Sequence, residues 1–349
     1  MKLKLSTTIV ALTATVALGT VLTGAAGAYA GTSSVSHSST AVPAVVDASG
    51  PGLFPHSADY DPRSRTFVVG SLAHSTISAV SLDGRVRTLV DDKALVAVQA
   101  VRVDAKRNRI LATEVDYGLA ERSTPATTFR LAGLASYHTG NGHRQWYADL
   151  DKTANDGEQH LVSDVTIAPD GTAYAVDELT PTIFRVDRHG RASVLLRDDL
   201  LAGVLDIPGF LNDVGMSAVA WMPGNVLIVA MADGSLVRVP VDHPEQTAKV
   251  QLSTGLKTIT AGIQVLPDGS IAALSSGLLT GQPAVVQRVR PTPRWTSATV
   301  TVTDTVTDPV TSAVVAGPCH TTYALSGGLA ALLAGQPNDG FTLRQVNVG

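Results

Sequence analysis

A two-strand unit repeats six times along the chain, and this repeat limits the possible folds more than any other feature. Each copy is a short apolar segment, a turn and a second apolar segment, and the six copies align without a gap. The equivalent turn positions lie 43 to 64 residues apart. Regular repetition on this scale is typical of propellers and solenoids. The six copies are 56–71, 99–114, 163–178, 217–232, 261–276 and 312–327.

Each copy has the pattern of a β-hairpin. β-Branched and apolar residues flank the turn, which in three copies carries Asp170-Gly171, Gly224-Asn225 or Asp268-Gly269, pairs that tolerate positive φ. A second strand pair follows the hairpin, for example at 76–90 and 182–196. Four strands per unit predict one propeller blade. We therefore expect an all-β, six-bladed β-propeller over residues 41–349.

The last repeat is one strand short. After 341–348 the chain ends, which leaves three strands for blade six. The segment 41–48, AVPAVVDA, precedes the first hairpin and is apolar and β-branched. We expect it to supply the outer strand of the last blade, because a closed ring protects strand edges. The alternative is an ordered but unpaired N-terminal arm.

The first forty residues predict export. Residues 1–30 carry Lys2 and Lys4, then an apolar stretch, then Ala28-Tyr29-Ala30, which is the pattern of a secretory signal peptide. A membrane anchor is the alternative, but Thr and Gly interrupt the stretch. Residues 31–40 predict a flexible, Ser/Thr-rich leader. We expect a secreted protein that has no membrane segment after cleavage, since no second apolar run approaches roughly 20 residues.

Composition excludes several kinds of partner and site. The chain has 26 basic and 30 acidic residues and no basic block, so the electrostatic pattern of a nucleic-acid-binding protein is missing. A single cysteine, Cys319, excludes an intramolecular disulfide framework and a zinc site built from several thiolates. We expect a monomer whose partner is a small molecule.

Two segments give the sequence a family resemblance. FPHSADYDPRSRTFVVGSLAHSTISAVSLDGRVRTLVDD (54–92) and HLVSDVTIAPDGTAYAVDELTPTIFRVDRHGRASVL (160–195) resemble the senescence-marker-protein/gluconolactonase family of six-bladed propellers. The resemblance covers roughly residues 54–280. It implies one divalent cation, Ca²⁺ or Zn²⁺, at the mouth of the central tunnel. Such a cation polarises a lactone or ester carbonyl while water attacks.

The resemblance also places the expected metal ligands, and here the sequence departs from the family. The ligands belong at the start of each innermost strand. The family's Glu of blade one is replaced by His56, its two Asn by Ser163 and Ser217, and its Asp of blade five by Ala261. Only the following acid in blade three, Asp164, is kept. The full set of equivalent positions, which contains no carboxylate, is His56, Gln99, Ser163, Ser217, Ala261 and Ser312.

Several residues are nevertheless candidates for chemistry. His56 and Asp164 are the candidate catalytic residues, although His56 also fits a polar lining residue that binds water. Together with His160 they would form a two-histidine, one-carboxylate metal set. Gln99, Ser163 and Ser217 are expected to line a ligand site at the tunnel. The acids that end the second strands either face the far end of the tunnel or, in the interpretation we favour, are solvated: Glu114, Asp116, Asp177 and Glu178.

The apolar connection 200–215 joins blades three and four and has two interpretations. It is either a lid over the tunnel mouth, with Asp213 supplying an oxygen to the site, or a short helix packed on the propeller without a ligand.

Three functions follow as hypotheses. The first is a small-molecule-binding propeller with a degraded metal ring. The second is a metal-dependent hydrolase of lactones or esters with a rebuilt site. The third is an extracellular module that binds protein or glycan.

Overall fold

A computed structural model describes residues 42–308 and 310–349. The predicted signal peptide (1–30) and leader (31–40) lie outside the described residues. The described chain forms six β-sheets arranged as a propeller, which confirms the predicted fold class. Within the part of the chain that the structure describes, no helix has the length and apolar character needed to cross a membrane.

The strands of each blade follow one another in chain order from the tunnel outward, apart from the outermost strands of blades five and six. The first described strand, β1 (Val45–Ser49), precedes blade one. Blades one to three are built from β2 (Ala58–Asp61), β3 (Thr66–Gly70), β4 (Thr76–Ser81), β5 (Val86–Asp91); β6 (Ala97–Asp104), β7 (Arg109–Val115), β8 (Ala132–His138), β9 (Arg144–Asp149); and β10 (Val162–Ile167), β11 (Ala173–Asp177), β12 (Thr182–Val186), β13 (Ala192–Arg197).

A separate hairpin and three further blades complete the described strands. The hairpin is β14 (Leu205–Ile207) and β15 (Leu211–Val214). The remaining blades are built from β16 (Met216–Met222), β17 (Val226–Met231), β18 (Leu236–Pro240), β19 (Ala248–Lys249); β20 (Gln251–Leu252), β21 (Thr260–Val265), β22 (Ile271–Ser275), β23 (Ala284–Pro291), β24 (Ser297–Val306); and β25 (Ala313–Ala316), β26 (Thr322–Ser326), β27 (Gly340–Gln345).

Helices are short and lie between strands. The described residues form two α-helices, α1 (Leu150–Ala154) and α2 (Leu329–Leu333). Five 3₁₀ turns are also present, at Ala105–Arg107, Asp199–Leu201, Pro244–Gln246, Pro293–Trp295 and Pro318–His320.

Blade five departs from the expected four strands. The short strand β20 leaves blade four and pairs in parallel with the start of β24, where Gln251 lies opposite Ser297. The neighbouring Ser253 accepts a hydrogen bond from the backbone N–H of Val300 at 3.0 Å. This strand therefore covers part of the outer edge of blade five, which would otherwise present unpaired backbone groups.

The N-terminal strand closes the ring, as the sequence predicted. β1 pairs antiparallel with β27, placing Val46 opposite Leu343. The side chains of β1 alternate between buried and exposed, and Val46 is 1% exposed. It packs in one apolar cluster with Phe67 of blade one and Tyr323 of blade six. The same strand thus completes blade six and contributes to the contact with blade one.

The outer turn of blade one abuts this closing strand. The predicted Asp83-Gly84 bend has φ of +84° at Gly84, a conformation that costs glycine little. A Cβ added at Gly84 would collide with the backbone oxygen of Asp47 in β1. Glycine is required here both by its dihedral angle and by the close approach of the two backbones.

The hairpin turns and the inter-blade packing follow the repeat. Gly171, Gly224, Asn225 and Gly269 all have positive φ, as their turn positions predicted. Each innermost strand contacts those of the neighbouring blades, and β2 contacts β25 to complete the circle. Equivalent positions of the repeat therefore lie around one central tunnel.

Candidate functional site

The six equivalent positions at the starts of the innermost strands meet in one cavity. They are His56, Gln99, Ser163, Ser217, Ala261 and Ser312. The cavity has a volume of about 80 Å³, enough for several water molecules or a small organic molecule. Its walls at the level of these residues are polar and nearly uncharged.

The outer side of the cavity is closed by apolar side chains. The connection 200–215 forms the hairpin β14–β15, so the lid interpretation is right about its position and the short-helix alternative is wrong. Leu205 pairs with Val214 and Ile207 with Leu211. Ile207, Phe210 and Val214 of the hairpin line the cavity, together with Leu72, Leu119, Leu278, Leu329 and Leu333 from other connections. We call residues 205–214 the lid hairpin.

Asp213 does not supply an oxygen to the site. It is exposed, has φ of +53°, and is absent from the residues that line the cavity. Its backbone N–H donates to Asp206 on the opposite strand of the lid hairpin at 3.2 Å. The strand alternation explains this correction, because Val214 faces inward and its neighbour must face away.

A cluster of three polar side chains lies at one wall of the cavity. Tyr117 Oη is 2.6 Å from Glu178 Oε2 and 2.5 Å from Gln99 Oε1. Burial, followed by the negative charge of Glu178, raises the pKa of Tyr117 well above its ordinary value, so the phenol stays protonated. Burial also raises the pKa of Glu178 to about 7, against the lowering effect of its hydrogen bond to Tyr117. Glu178 is therefore poised to gain or lose a proton near neutral pH.

His56 is an uncharged hydrogen-bonding group in the same cavity. Burial lowers its pKa to about 4, because the cationic form would lose hydration without gaining a partner. At neutral pH its imidazole is neutral. The hydroxyls of Ser163 and Ser217 are committed elsewhere, since they donate to the backbone oxygens of Met216 at 2.8 Å and Ala230 at 3.1 Å.

Asp164 lies deeper in the tunnel and is held by an arginine. Arg102 Nη2 donates to both carboxylate oxygens of Asp164, at 2.7 and 2.9 Å. The backbone N–H groups of Val165 and Val219 donate to the same carboxylate at 2.8 and 3.0 Å. His56 and Asp164 line one narrow section of the tunnel, but Asp164 has its acceptor positions filled. The expectation that it is free for catalysis or metal binding is wrong for this reason.

His160 is not at the tunnel, and the predicted metal set does not form. Its ring is fully buried, with Nδ1 2.9 Å from Asp177 Oδ2 and Nε2 2.9 Å from Asp156 Oδ1. Burial alone would lower the pKa of His160, but the hydrogen bonds and charges of these two carboxylates outweigh it and raise the pKa to about 9. His160 is thus a cationic bridge between the segment after α1 and the end of β11.

This bridge predicts a loss of stability at alkaline pH. A histidine whose folded pKa is raised contributes stability that is complete below its unfolded pKa of about 6.5 and is lost as pH rises toward 9. We expect the urea midpoint of the wild-type protein to fall over this window, and the His160→Gln variant to have a lower midpoint and a flatter profile. The control is His143→Gln, at an exposed histidine. Equal pH profiles for wild type and His160→Gln would contradict the assignment.

The donor groups of the site do not fit the divalent cation that the resemblance implied. Ca²⁺ requires several oxygen ligands, including carboxylates, and Zn²⁺ requires three or four converging donors. Over residues 42–308 and 310–349, no three His, Cys, Asp or Glu side chains are placed to hold a metal ion. Asp164 is neutralised by Arg102, and Glu178 points at Tyr117.

The acids at the ends of the second strands were misinterpreted as solvated. Glu114, Asp116 and Asp177 are at most 3% exposed, and Glu178 is partly buried in the cavity wall. Asp177 accepts from the backbone N–H groups of Leu179 and Thr180 at 2.9 Å as well as facing His160. The useful sequence signal was position: Glu178 directly follows the strand that pairs with the innermost strand of blade three, so it lies near the tunnel mouth.

Tyr117 was missed as a site residue because it belongs to a long connection rather than to a repeat. Its loop is fixed by the buried Asp116, whose carboxylate accepts from Gly118 N at 2.7 Å, from Ser123 Oγ at 2.5 Å and from Thr127 Oγ1 at 2.7 Å. The loop aims the phenol into the cavity.

Comparison with solved structures supports the fold. The major allergen Mala s 1 of Malassezia sympodialis has a TM-score of 0.70 at 16% identity, covering 88% of this chain and 96% of that one. Regucalcin, a calcium-binding protein from Agrobacterium tumefaciens, has a TM-score of 0.54 at 17% identity, covering 86% of this chain and 92% of that one. A protein described as a putative gluconolactonase has a TM-score of 0.52 at 17% identity, covering 87% of this chain and 93% of that one.

No protein-family model and no curated protein sequence matches the chain. Gluconolactonase and regucalcin propellers are thus among the structural neighbours, and at these identities the likeness extends to the fold alone.

Proposed function

We propose that the protein binds a small, largely apolar organic molecule in the cavity beneath the lid hairpin. The observation that carries this proposal is the cavity itself. It is closed by apolar side chains from the lid hairpin, α2 and nearby connections, and a few polar groups converge on its inner wall. Apolar walls with a small number of placed polar groups are the usual construction of small-molecule sites.

The donor set favours binding over metal-dependent hydrolysis. Hydrolysis of a lactone or ester of the kind the resemblance implied needs a group that polarises the carbonyl, and the side chains at the expected ligand positions do not fit a cation. An interaction module is favoured less, because the feature that distinguishes this structure is a cavity partly covered by the lid hairpin.

The test fills the cavity without touching its polar groups. Ala261 lines the cavity and is partly buried, so Ala261→Leu introduces three carbon atoms into the space. Phenol, cyclohexanol, benzyl alcohol and δ-valerolactone serve as probes, followed by ligand-observed NMR and by the rise in melting temperature that binding to the folded state produces.

We expect at least one probe to bind the wild-type protein and the matched control Ala94→Leu, at an exposed position. Binding should be lost in Ala261→Leu. The proposal fails if no probe binds, or if binding is the same in the filled variant.

A further inference from the structure

The lidded cavity has an unbalanced charge. Glu178 is its acidic side chain, and neither lysine nor arginine is among the residues that line it. His56 does not compensate, because its imidazole is neutral at neutral pH. Among the described residues, Glu178 forms no ion pair with a basic side chain. When Glu178 is ionised, the cavity therefore holds one negative charge, and no basic side chain of the cavity wall balances it.

A ligand that brings N–H groups finds acceptors at this wall. Gln99 Oε1, Tyr117 Oη and Glu178 Oε2 are in hydrogen-bond contact in a row, with Tyr117 at the centre. The phenol has one hydrogen and can donate to one neighbour at a time. Hydrogen bonding by Gln99 also lowers the pKa of Glu178, so the Gln99 amide supplies a further donor to this wall. An ionised Glu178 has two oxygens, each with more than one acceptor position, and so can still accept from the N–H groups of a ligand.

Aromatic rings lie beside the carboxylate. Tyr117 and Phe210 stack with centroids 5.7 Å apart and an interplanar angle of 28°. Phe129 meets the Tyr117 ring edge-on at 6.5 Å. Both Tyr117 and Phe210 line the cavity. Aromatic rings next to a carboxylate favour organic cations, because the ring faces carry partial negative charge and the hydrocarbon part of the cation packs on them.

We propose that the ligand of this cavity is a small organic amine, bound as its ammonium ion with the nitrogen on Glu178 and the carbon skeleton against Tyr117 and Phe210. This inference rests on the proposed function, since it names the class of molecule that the cavity binds. The ammonium N–H groups donate to Glu178 and to the acceptors beside it. The positive charge of the ammonium ion balances the negative charge of Glu178, for which the cavity wall provides no basic side chain.

The inference predicts a specific pH dependence. The groups facing Glu178 are Tyr117, Asp177 and, across the cavity, His56; His160 lies behind Asp177. Tyr117 stays protonated, His56 stays neutral, and His160 stays cationic between pH 5.5 and 8. Glu178 is then the group that changes charge in this window. Its carboxyl is mostly protonated at pH 5.5 and ionised at pH 8, so ammonium affinity rises with pH.

The experiment compares amine and alcohol pairs of equal size by calorimetry. Benzylamine is paired with benzyl alcohol and cyclohexylamine with cyclohexanol, using wild type, Glu178→Gln and the matched control Glu158→Gln, an exposed glutamate. At pH 8 we expect each amine to bind wild type and the control at least about 10-fold more tightly than its alcohol, a preference in the range of a charge-assisted hydrogen bond. Glu178→Gln should abolish this preference, so that each amine binds no more tightly than its alcohol.

The pH series keeps the test independent of that variant's folding. The pKa of Glu178 is about 7, so the ionised fraction of this carboxyl falls about 30-fold from pH 8 to pH 5.5. With wild type alone, we therefore expect amine affinity to fall about 30-fold over this range and alcohol affinity to stay constant. Alcohols that bind as well as the amines, or an amine preference that survives in Glu178→Gln, would overturn the amine inference and leave the proposed function standing. If neither class binds, both proposals fail together.

Discussion

Replacing Val46 by aspartate is expected to destabilise the whole propeller, although the residue belongs to a strand that precedes the first blade. Val46 is 1% exposed and packs against the apolar cluster between blades six and one. A carboxylate at this position loses the burial of the valine and finds no cationic partner. We expect a loss of about 4 kcal/mol, a large fraction of the roughly 5–15 kcal/mol that stabilises most domains.

Urea unfolding measures this effect, and Ser49→Asp is the matched control. Ser49 lies on the same strand and is exposed, so the same charge there should change stability by no more than about 0.5 kcal/mol. We also expect the Val46→Asp variant to aggregate more readily, because a displaced β1 leaves the edge of β27 open. Equal unfolding midpoints for the two variants would show that β1 does not close the ring.

Removing the arginine in the tunnel is the second substitution with a large expected effect. Arg102→Met leaves Asp164 buried without its counter-charge, and Asp59 nearby loses the same favourable field. Burial already raises the pKa of Asp164, and Arg102 acts against that rise. Breaking a buried pair by removing one partner costs about 3 kcal/mol or more.

The pH dependence of this loss identifies its cause. Without Arg102 the folded-state pKa of Asp164 rises further, so stability is kept at low pH and lost as pH rises through that value. We expect Arg102→Met to be several-fold more damaging at pH 8 than at pH 5 in urea unfolding. The double variant Arg102→Met/Asp164→Asn should recover most of the difference, and Arg87→Met, at an exposed arginine, is the control. A loss independent of pH would assign the effect to packing.

The same ion pair divides the tunnel. Asp164 and His56 line its narrow middle section, of about 20 Å³. Arg102 lines both this section and the wider opening of about 450 Å³ at the opposite end. The lidded cavity therefore does not continue freely to the other mouth. We therefore expect a ligand of the size of benzylamine to enter past the lid hairpin.

The sequence alone determined the fold because its information is local and repeated. Each hairpin copy carries its own strand periodicity and turn residues, and Gly171 and Gly269 adopt the positive φ that their turn positions required. Counting the strand segments of the sixth repeat showed that blade six lacked one strand. The apolar segment containing Val46 was the remaining candidate for this strand, and β1 does pair with β27 at the outer edge of blade six.

Which polar side chains meet was decided only by the tertiary structure. Asp164 has the sequence position of a family metal neighbour, yet Arg102 from the adjacent blade occupies its oxygens. Sequence spacing cannot show this, because partners on neighbouring blades are chosen by side-chain length and direction, across 62 residues of chain.

The contact between Glu178 and Tyr117 was likewise decided by the tertiary structure. Glutamate and tyrosine side chains commonly contact solvent, but these two line the cavity beneath the lid hairpin and are buried there. Burial, rather than residue type, then raises the pKa of Glu178 to about 7 and creates the group on which the proposed ligand site depends. Local patterns thus determined the scaffold, and the chemistry of the site emerged from what the folded ring packs together and shields from water.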